Sequence, residues 1–222
     1  MRCFLATFRP LTKSLRGRRA AEQFGLPSFI DGSCRREPDF ESAFPSITAT
    51  CRAGQFAPRL RVGDRVAYLT VKARYPGVAE AGWRFVALLR VIGRFSSHEA
   101  AAEWYLQRGL PLPSNCLVHG NAPKPLELTN AMPPCDNTDC VVVEDDPINT
   151  IESWDAIYHS RVGMWPVFLV CEPEFLELFA PPQVCESEMK KVFGRKPGTQ
   201  TPPEITCEQL NSLLGVASRG TP

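Results

Sequence analysis

No apolar stretch in this chain approaches the roughly 18 residues that a membrane-spanning helix requires, so a membrane-embedded protein is not expected. Histidine is scarce. His98, His119 and His159 are the whole supply, and a cysteine nucleophile finds no base near it in the sequence. No Gly-rich phosphate loop of the Rossmann or Walker type opens a helix after a strand, which argues against nucleoside-triphosphate chemistry. No repeat with a period of 20–50 residues is visible, which excludes a solenoid or propeller. Acidic residues are missing from the first 21 positions altogether. The apolar run at residues 3–8 is too short for a signal-peptide core and has no small-residue cleavage site after it. It reads as a first β-strand of a cytoplasmic protein, with an arginine-bearing transit peptide as the alternative.

What is present fits a globular fold. In 222 residues, 44% hydrophobic and 22% charged, there is material for one large domain with a real core, or for one domain with an elaboration. Nine cysteines without a secretion signal argue against a disulfide framework, so most are expected as buried small hydrophobes. The net charge of +1 conceals an asymmetry. Residues 1–74 hold 14 Lys/Arg against six Asp/Glu, and residues 75–222 hold 11 against 18. A basic half beside an acidic half suggests a polyanion-facing surface; the alternative is that arginine-rich loops pair with acidic helices across the fold.

The strongest local pattern is the alternating run at 57–70, turned by Gly63-Asp64, followed by a second β-rich run at 83–91; together they predict an antiparallel pair. Residues 12–24 predict a basic helical segment. Residues 25–58 read as largely irregular but packed down by Phe29, Phe40, Phe44 and Phe56. Ser96 and Glu99 predict a capping box for a helix over 100–107 stopped by Gly109. Residues 110–134 are Pro-rich and extended, and 140–144 read as a strand. Asn149 with Glu152 predicts the start of a helix through Tyr158. A strand is expected at 166–171, and helices at 187–193 and 206–214, the last with Thr206/Gln209 as its box and Gly215 as its stop.

Three constellations could carry chemistry. In the first, Gly32 and Pro38 shape a loop bearing Ser33, Cys34, Arg35, Arg36 and Asp39, with Arg52 shortly after. Guanidinium forks suit phosphate oxygens and base edges, so this is a candidate anion or nucleotide pocket. The other reading is an internal salt-bridge network in which Arg35 and Arg36 pair with Glu37, Asp39 or Glu41. Cys34 beside two arginines is also a candidate nucleophile. The second is Cys116-x2-His119 with Cys135-x4-Cys140, a spacing that could close a structural Cys3His zinc site, the one cofactor to which the sequence points. The third is aromatic: Tyr68 and Trp83, among seven Tyr, Trp and Phe residues on or near the strand pair and the helices, offer faces on which a base could stack.

The Gly63-Asp64 strand turn, the 83–91 partner strand, the helix after it and the late strand before a C-terminal helix resemble the PUA-like superfamily, which includes EVE and ASCH domains, over roughly residues 55–195. The loop at 32–39 and Phe56-Ala57-Pro58 are also similar to the nucleotide-modification-associated domains of bacteria and phages. The resemblance implies a mixed α+β, barrel-like core with flanking helices and a long N-terminal loop. The N-terminal strand and Arg-rich loop (1–54) would pack on a PUA-like domain (55–217), leaving a frayed tail (218–222). It further implies a DNA or RNA partner and a pocket admitting a modified or extruded base, or a part in nucleobase modification. Arg35, Arg36, Arg52, Arg59, Arg61 and Arg65 would hold phosphates or base edges, Tyr68 and Trp83 would stack, and Ser33, Asp39 and Thr70 would hydrogen-bond the base. The rivals are a base- or nucleotide-modifying enzyme using Cys34 or Asp39, and a zinc-stabilised protein-interaction module.

Overall fold

A computed structural model describes residues 1–50, 52–76, 80–130, 150–194, 197–198 and 201–219. Its centre is a mixed seven-stranded sheet: β1 (Cys3–Phe8), β2 (Ser46–Thr48), β3 (Arg65–Thr70), β4 (Trp83–Phe95), β5 (Phe168–Leu176), β6 (Gln183–Val184) and β7 (Glu204–Ile205). The strand order is β2-β5-β4-β3-β1-β7, with β6 added to β4. β1 and β3 run parallel, and β3, β4 and β5 form an antiparallel meander. Among the described residues five α-helices accompany it: α1 (Leu15–Phe24), α2 (His98–Leu106), α3 (Ile151–Met164), α4 (Glu186–Phe193) and α5 (Cys207–Arg219). The α+β class is as expected. The barrel is not: the sheet stays open, with β2 and β7 at its two ends.

The predicted half-buried strands are in fact covered on both faces. On one side Phe4, Ala6, Phe8, Val66, Tyr68, Leu89 and Val91 pack under Phe29, Phe40, Phe56 and Leu60 of the long N-terminal segment. On the other side Cys3, Leu5, Ala67, Leu69, Trp83 and Phe85 meet Met189 of α4 and Leu210, Leu213 and Val216 of α5. Further along, Phe168 and Val170 of β5 pack against Ala101, Ala102 and Tyr105 of α2. Alternation along β4 is re-phased where Tyr68 pairs Ala87 but Leu69 pairs Phe85. The extra residue, Val86, is a β-bulge, and beyond it Leu88 rather than Ala87 joins Trp83 and Phe85 on the helix-covered face.

Several local expectations shift. Residues 57–59 form a 3-10 turn, so β3 begins only at Arg65, after Gly63 turns the chain at φ 89°. Ser97, not Ser96, caps α2, its hydroxyl accepting from the Ala100 N–H. Thr150 and Ser153 form the capping box of α3, whereas Asn149 lies outside the described residues. Gly215 does not stop α5, because residues 213–217 bury Leu213, Val216 and Ala217 against the sheet, and that packing outweighs the glycine's entropic cost. The strand expected at 140–144 also falls outside the described residues.

The 12–24 segment breaks into a 3-10 turn (Leu11–Lys13) and α1, joined at Ser14, whose hydroxyl caps the Gly17 N–H at 2.9 Å. A Cβ at Gly17 would stand 1.9 Å from the Leu11 carbonyl oxygen. Gly17→Ala is therefore expected to lower the thermal midpoint, although helix propensity alone favours alanine by about 1 kcal/mol. A thermal melt showing stabilisation would mean that the turn and helix do not approach this closely.

Candidate functional site

The Arg-rich loop forms a buried lattice. Residues 46–50 explain why it can. Ile47 and Ala49 point into the apolar core, while Ser46, Thr48 and Thr50, also buried, face the opposite way and line a polar layer under residues 31–41 and 113–121. The same strand period that buries one apolar face thus buries one polar face.

Arg35 is 1% exposed and uses its whole fork inward. Nε and Nη2 donate to the two carboxylate oxygens of Asp155 in α3, at 2.5 and 2.8 Å. Nη1 donates to the carbonyls of Ser114 and Asn121, both at 2.9 Å. Arg36, equally buried, donates from Nε to Glu41 at 3.0 Å, and from its two amino groups to the carbonyls of Asp31, Ser33 and Leu128. Asp39 accepts from the Ser114 N–H and hydroxyl, each at 2.7 Å, and from the Glu41 N–H. Of the two sequence readings of this loop, the internal network describes these side chains. Its Arg36–Glu41 pair was among those expected; Asp155, 120 positions from Arg35, was not.

At the centre sits Glu37, before a cis bond to Pro38. Its carboxyl is held by the Thr48 N–H (3.0 Å), the Thr48 hydroxyl (2.5 Å) and the Asn115 amide (3.3 Å), with no cation among these partners. Burial pushes this carboxyl up to about 8, against the pull of its Thr48 hydrogen bonds, so it is largely protonated at neutral pH. Burial also raises Asp31, although Ser33 donates to it. His98, wholly buried at the start of α2, accepts the Leu117 N–H on Nδ1 at 3.0 Å, and burial lowers it to about 4. The imidazole is neutral, and its buried Nε2 has no hydrogen-bond partner among the described residues. Glu37, Thr48, Ser114, Asn115, Asp155 and His98 did not stand out as site residues in the sequence. The alternating Ser46, Thr48 and Thr50 was the one signal available.

The remaining candidates are dispersed. Ser33 is half-buried and bonded to Asp31. Arg52 donates to the Thr7 carbonyl. Arg59 lies over the Phe4 ring, 5.6 Å from its centroid, and reaches the Pro202 carbonyl. Arg61 is exposed, and Arg65 pairs with Glu174 at 2.9 Å. Thr70 is buried and accepts the Arg84 N–H. Tyr68 stacks edge-on with Phe8 and Phe40 in the core under the N-terminal segment, whereas Trp83 is 4% exposed on the opposite face of the sheet. The structure does not bring these two rings together.

Cys34 is buried, and desolvation with the nearby Asp155 charge pushes its thiol up to about 12, unlike an activated nucleophile. Cys116 is buried, its thiol also pushed up to about 12 by burial and directed at the His98 carbonyl, while His119 is exposed. Cys135 and Cys140 lie outside the described residues, and among the described residues no group of three His, Cys, Asp or Glu is arranged to hold a metal.

The exposed charge is elsewhere. Gly17, Ala20 and Ala21 bury one face of α1, leaving Arg16, Arg18 and Arg19 in solvent beside Lys13. No ion pair is made by these four among the described residues. No acid occupies the first turn of α1, so its N-terminal partial charge adds to theirs. Phe24 (43% exposed) ends this helix. Phe179 (66% exposed) follows Leu178, which packs with Leu11, Ala21 and Ile30 beneath the helix.

The fold and site define an open-sheet α+β domain organised on a buried arginine–carboxylate lattice, with a cationic helix on its outside. Comparison with known proteins found no matching family model, no matching curated protein and no matching solved structure.

Proposed function

We propose that this protein binds nucleic acid, recognising a modified or extruded base or assisting nucleobase modification, in the manner of PUA-like domains. The observation that carries the reading is the set Lys13, Arg16, Arg18 and Arg19: four exposed cations within seven residues, in a stretch of 21 without an acid. These cations make no ion pair among the described residues, and with Glu22 one turn along α1 as their nearest acid in the sequence they still repel one another and the helix end. A polyphosphate backbone relieves that repulsion and releases its own counterions. Phe24 and Phe179 are solvent-facing rings on the same part of the molecule, and an unstacked base gains roughly 1–3 kcal/mol on such a surface. In this reading phosphate contact passes from Arg35 and Arg36, which are buried and bonded inward, to α1 and the turn before it.

The test is binding of labelled single- and double-stranded DNA and RNA across a salt series. Replacing all four cations by alanine is expected to weaken binding more than tenfold and to flatten the log K against log[salt] slope by about 0.7–0.9 per lost contact. Phe179→Ala should weaken single-stranded binding with the slope unchanged. Salt-independent or absent binding by the wild-type protein discards the proposal.

A further inference from the structure

One contact lies far from the lattice and from α1. The Sγ atoms of Cys3 and Cys207 stand 3.8 Å apart, 204 positions apart in sequence. Cys3 belongs to β1, where it pairs with Arg65 of β3 on one side and Ile205 of β7 on the other. Cys207 follows Ile205 by two residues and is the first residue of α5. The helix start is held by a reciprocal cap: the Thr206 N–H donates to the Gln209 side chain at 3.0 Å, and the Gln209 N–H to the Thr206 hydroxyl at 3.1 Å. Both thiols therefore sit on fixed backbone, one buried and the other exposed.

We infer that Cys3 and Cys207 are a reversible redox-modification site, whose substrate is a hydroperoxide and whose product is an intramolecular disulfide tying β1 to α5. Hydrogen peroxide, attacked by the exposed Cys207 sulfur, transfers one oxygen to give the sulfenic acid, and the O–O bond breaks with release of water. Cys3 then attacks that sulfur, the S–O bond breaks, and a second water leaves with the Cys3 proton. Two thiols lose two electrons and the peroxide gains them. Closure needs the sulfurs to approach by about 1.8 Å to reach a bond of about 2.05 Å. The order of events follows from exposure: Cys207 meets peroxide first, while burial and the neighbouring thiol push Cys3 up to about 11, keeping it protonated until its partner is oxidised. Cys34, Cys116 and Cys171 are buried and stay reduced.

The test is stoichiometric hydrogen peroxide added to the reduced, folded full chain, followed by alkylation and non-reducing peptide mass mapping. The expected result is a dominant Cys3–Cys207 cross-link, loss of two alkylatable thiols and full reversal by dithiothreitol. Closing so long a loop is expected to raise Tm by about 5–10 °C. Cys207→Ser should abolish both the cross-link and the shift, and Cys185→Ser should leave both intact. The inference is overturned if Cys207 proceeds to sulfinic acid while Cys3 remains alkylatable on unfolding, if Cys207 links elsewhere, or if the folded protein gives no cross-link.

Discussion

Arg35→Ala is expected to destabilise the protein by about 3–5 kcal/mol, enough to unfold it at ordinary temperature. The substitution removes four hydrogen bonds at once: it strands the carbonyls of Ser114 and Asn121 and leaves Asp155 to His159, whose Nε2 lies 3.6 Å from one carboxylate oxygen. A carboxylate taken out of water costs several kcal/mol unless a cation faces it, and Asp155 is largely covered. Arg35→Lys is expected to fail nearly as badly, since one ammonium cannot span the carboxylate and two carbonyls together. Arg65→Ala, which breaks a partly exposed pair with Glu174, should cost less than about 1 kcal/mol. Urea denaturation of the three variants measures the contrast. Similar midpoints for Arg35→Ala and Arg65→Ala would sink the view that the lattice organises the N-terminal segment. If the contrast holds, substitution at Arg35 or Arg36 reports folding, and nucleic-acid binding must be tested at α1.

Stability is expected to fall from about pH 6.5 to about pH 8, more steeply than it changes between about pH 4.5 and 6.5. Glu37 is raised from 4.5 to about 8, so the folded state holds a proton that the unfolded chain gives up. Its stabilisation is complete below pH 4.5 and lost as pH rises through 8, at up to about 1.4 kcal/mol per pH unit. His98 is lowered from 6.5 to about 4, so its contribution is complete above pH 6.5 and lost as pH falls through 4. Between pH 4.5 and 6.5 the slopes of Glu37 and His98 oppose each other, and above 6.5 Glu37 acts without that opposition. Asp31, also raised by burial, works in the same direction as Glu37. Glu37→Gln keeps an oxygen for the Thr48 N–H and an N–H for its hydroxyl. The variant should therefore be more stable than wild type at pH 8 and show a reduced slope. Thermal midpoints between pH 6 and 8.5 decide it; a wild-type midpoint that rises over this range would mean that Glu37 is ionised in the fold.

What could be read directly from the chain was local. The Gly63-Asp64 turn into an antiparallel pair, the β-strand at residues 3–8, the Thr206/Gln209 capping box and the acid-free cationic segment each depend on neighbours a few positions away, and side-chain period and capping chemistry act at that range. Where two hydroxyls were adjacent, as at Ser96 and Ser97, local chemistry could not choose between them; the backbone conformation at Ser97 did. Tertiary structure alone decided the rest. It paired β1 with β3 in parallel across 62 positions, placed Tyr68 and Trp83 on opposite faces of one sheet, and left that sheet open. It also turned an arginine pair with the composition of a phosphate site inward, because Asp155 and a row of carbonyls distant in sequence satisfy the guanidinium forks before any ligand can. A donor advertises its chemistry in the sequence, but its acceptor is chosen by the fold.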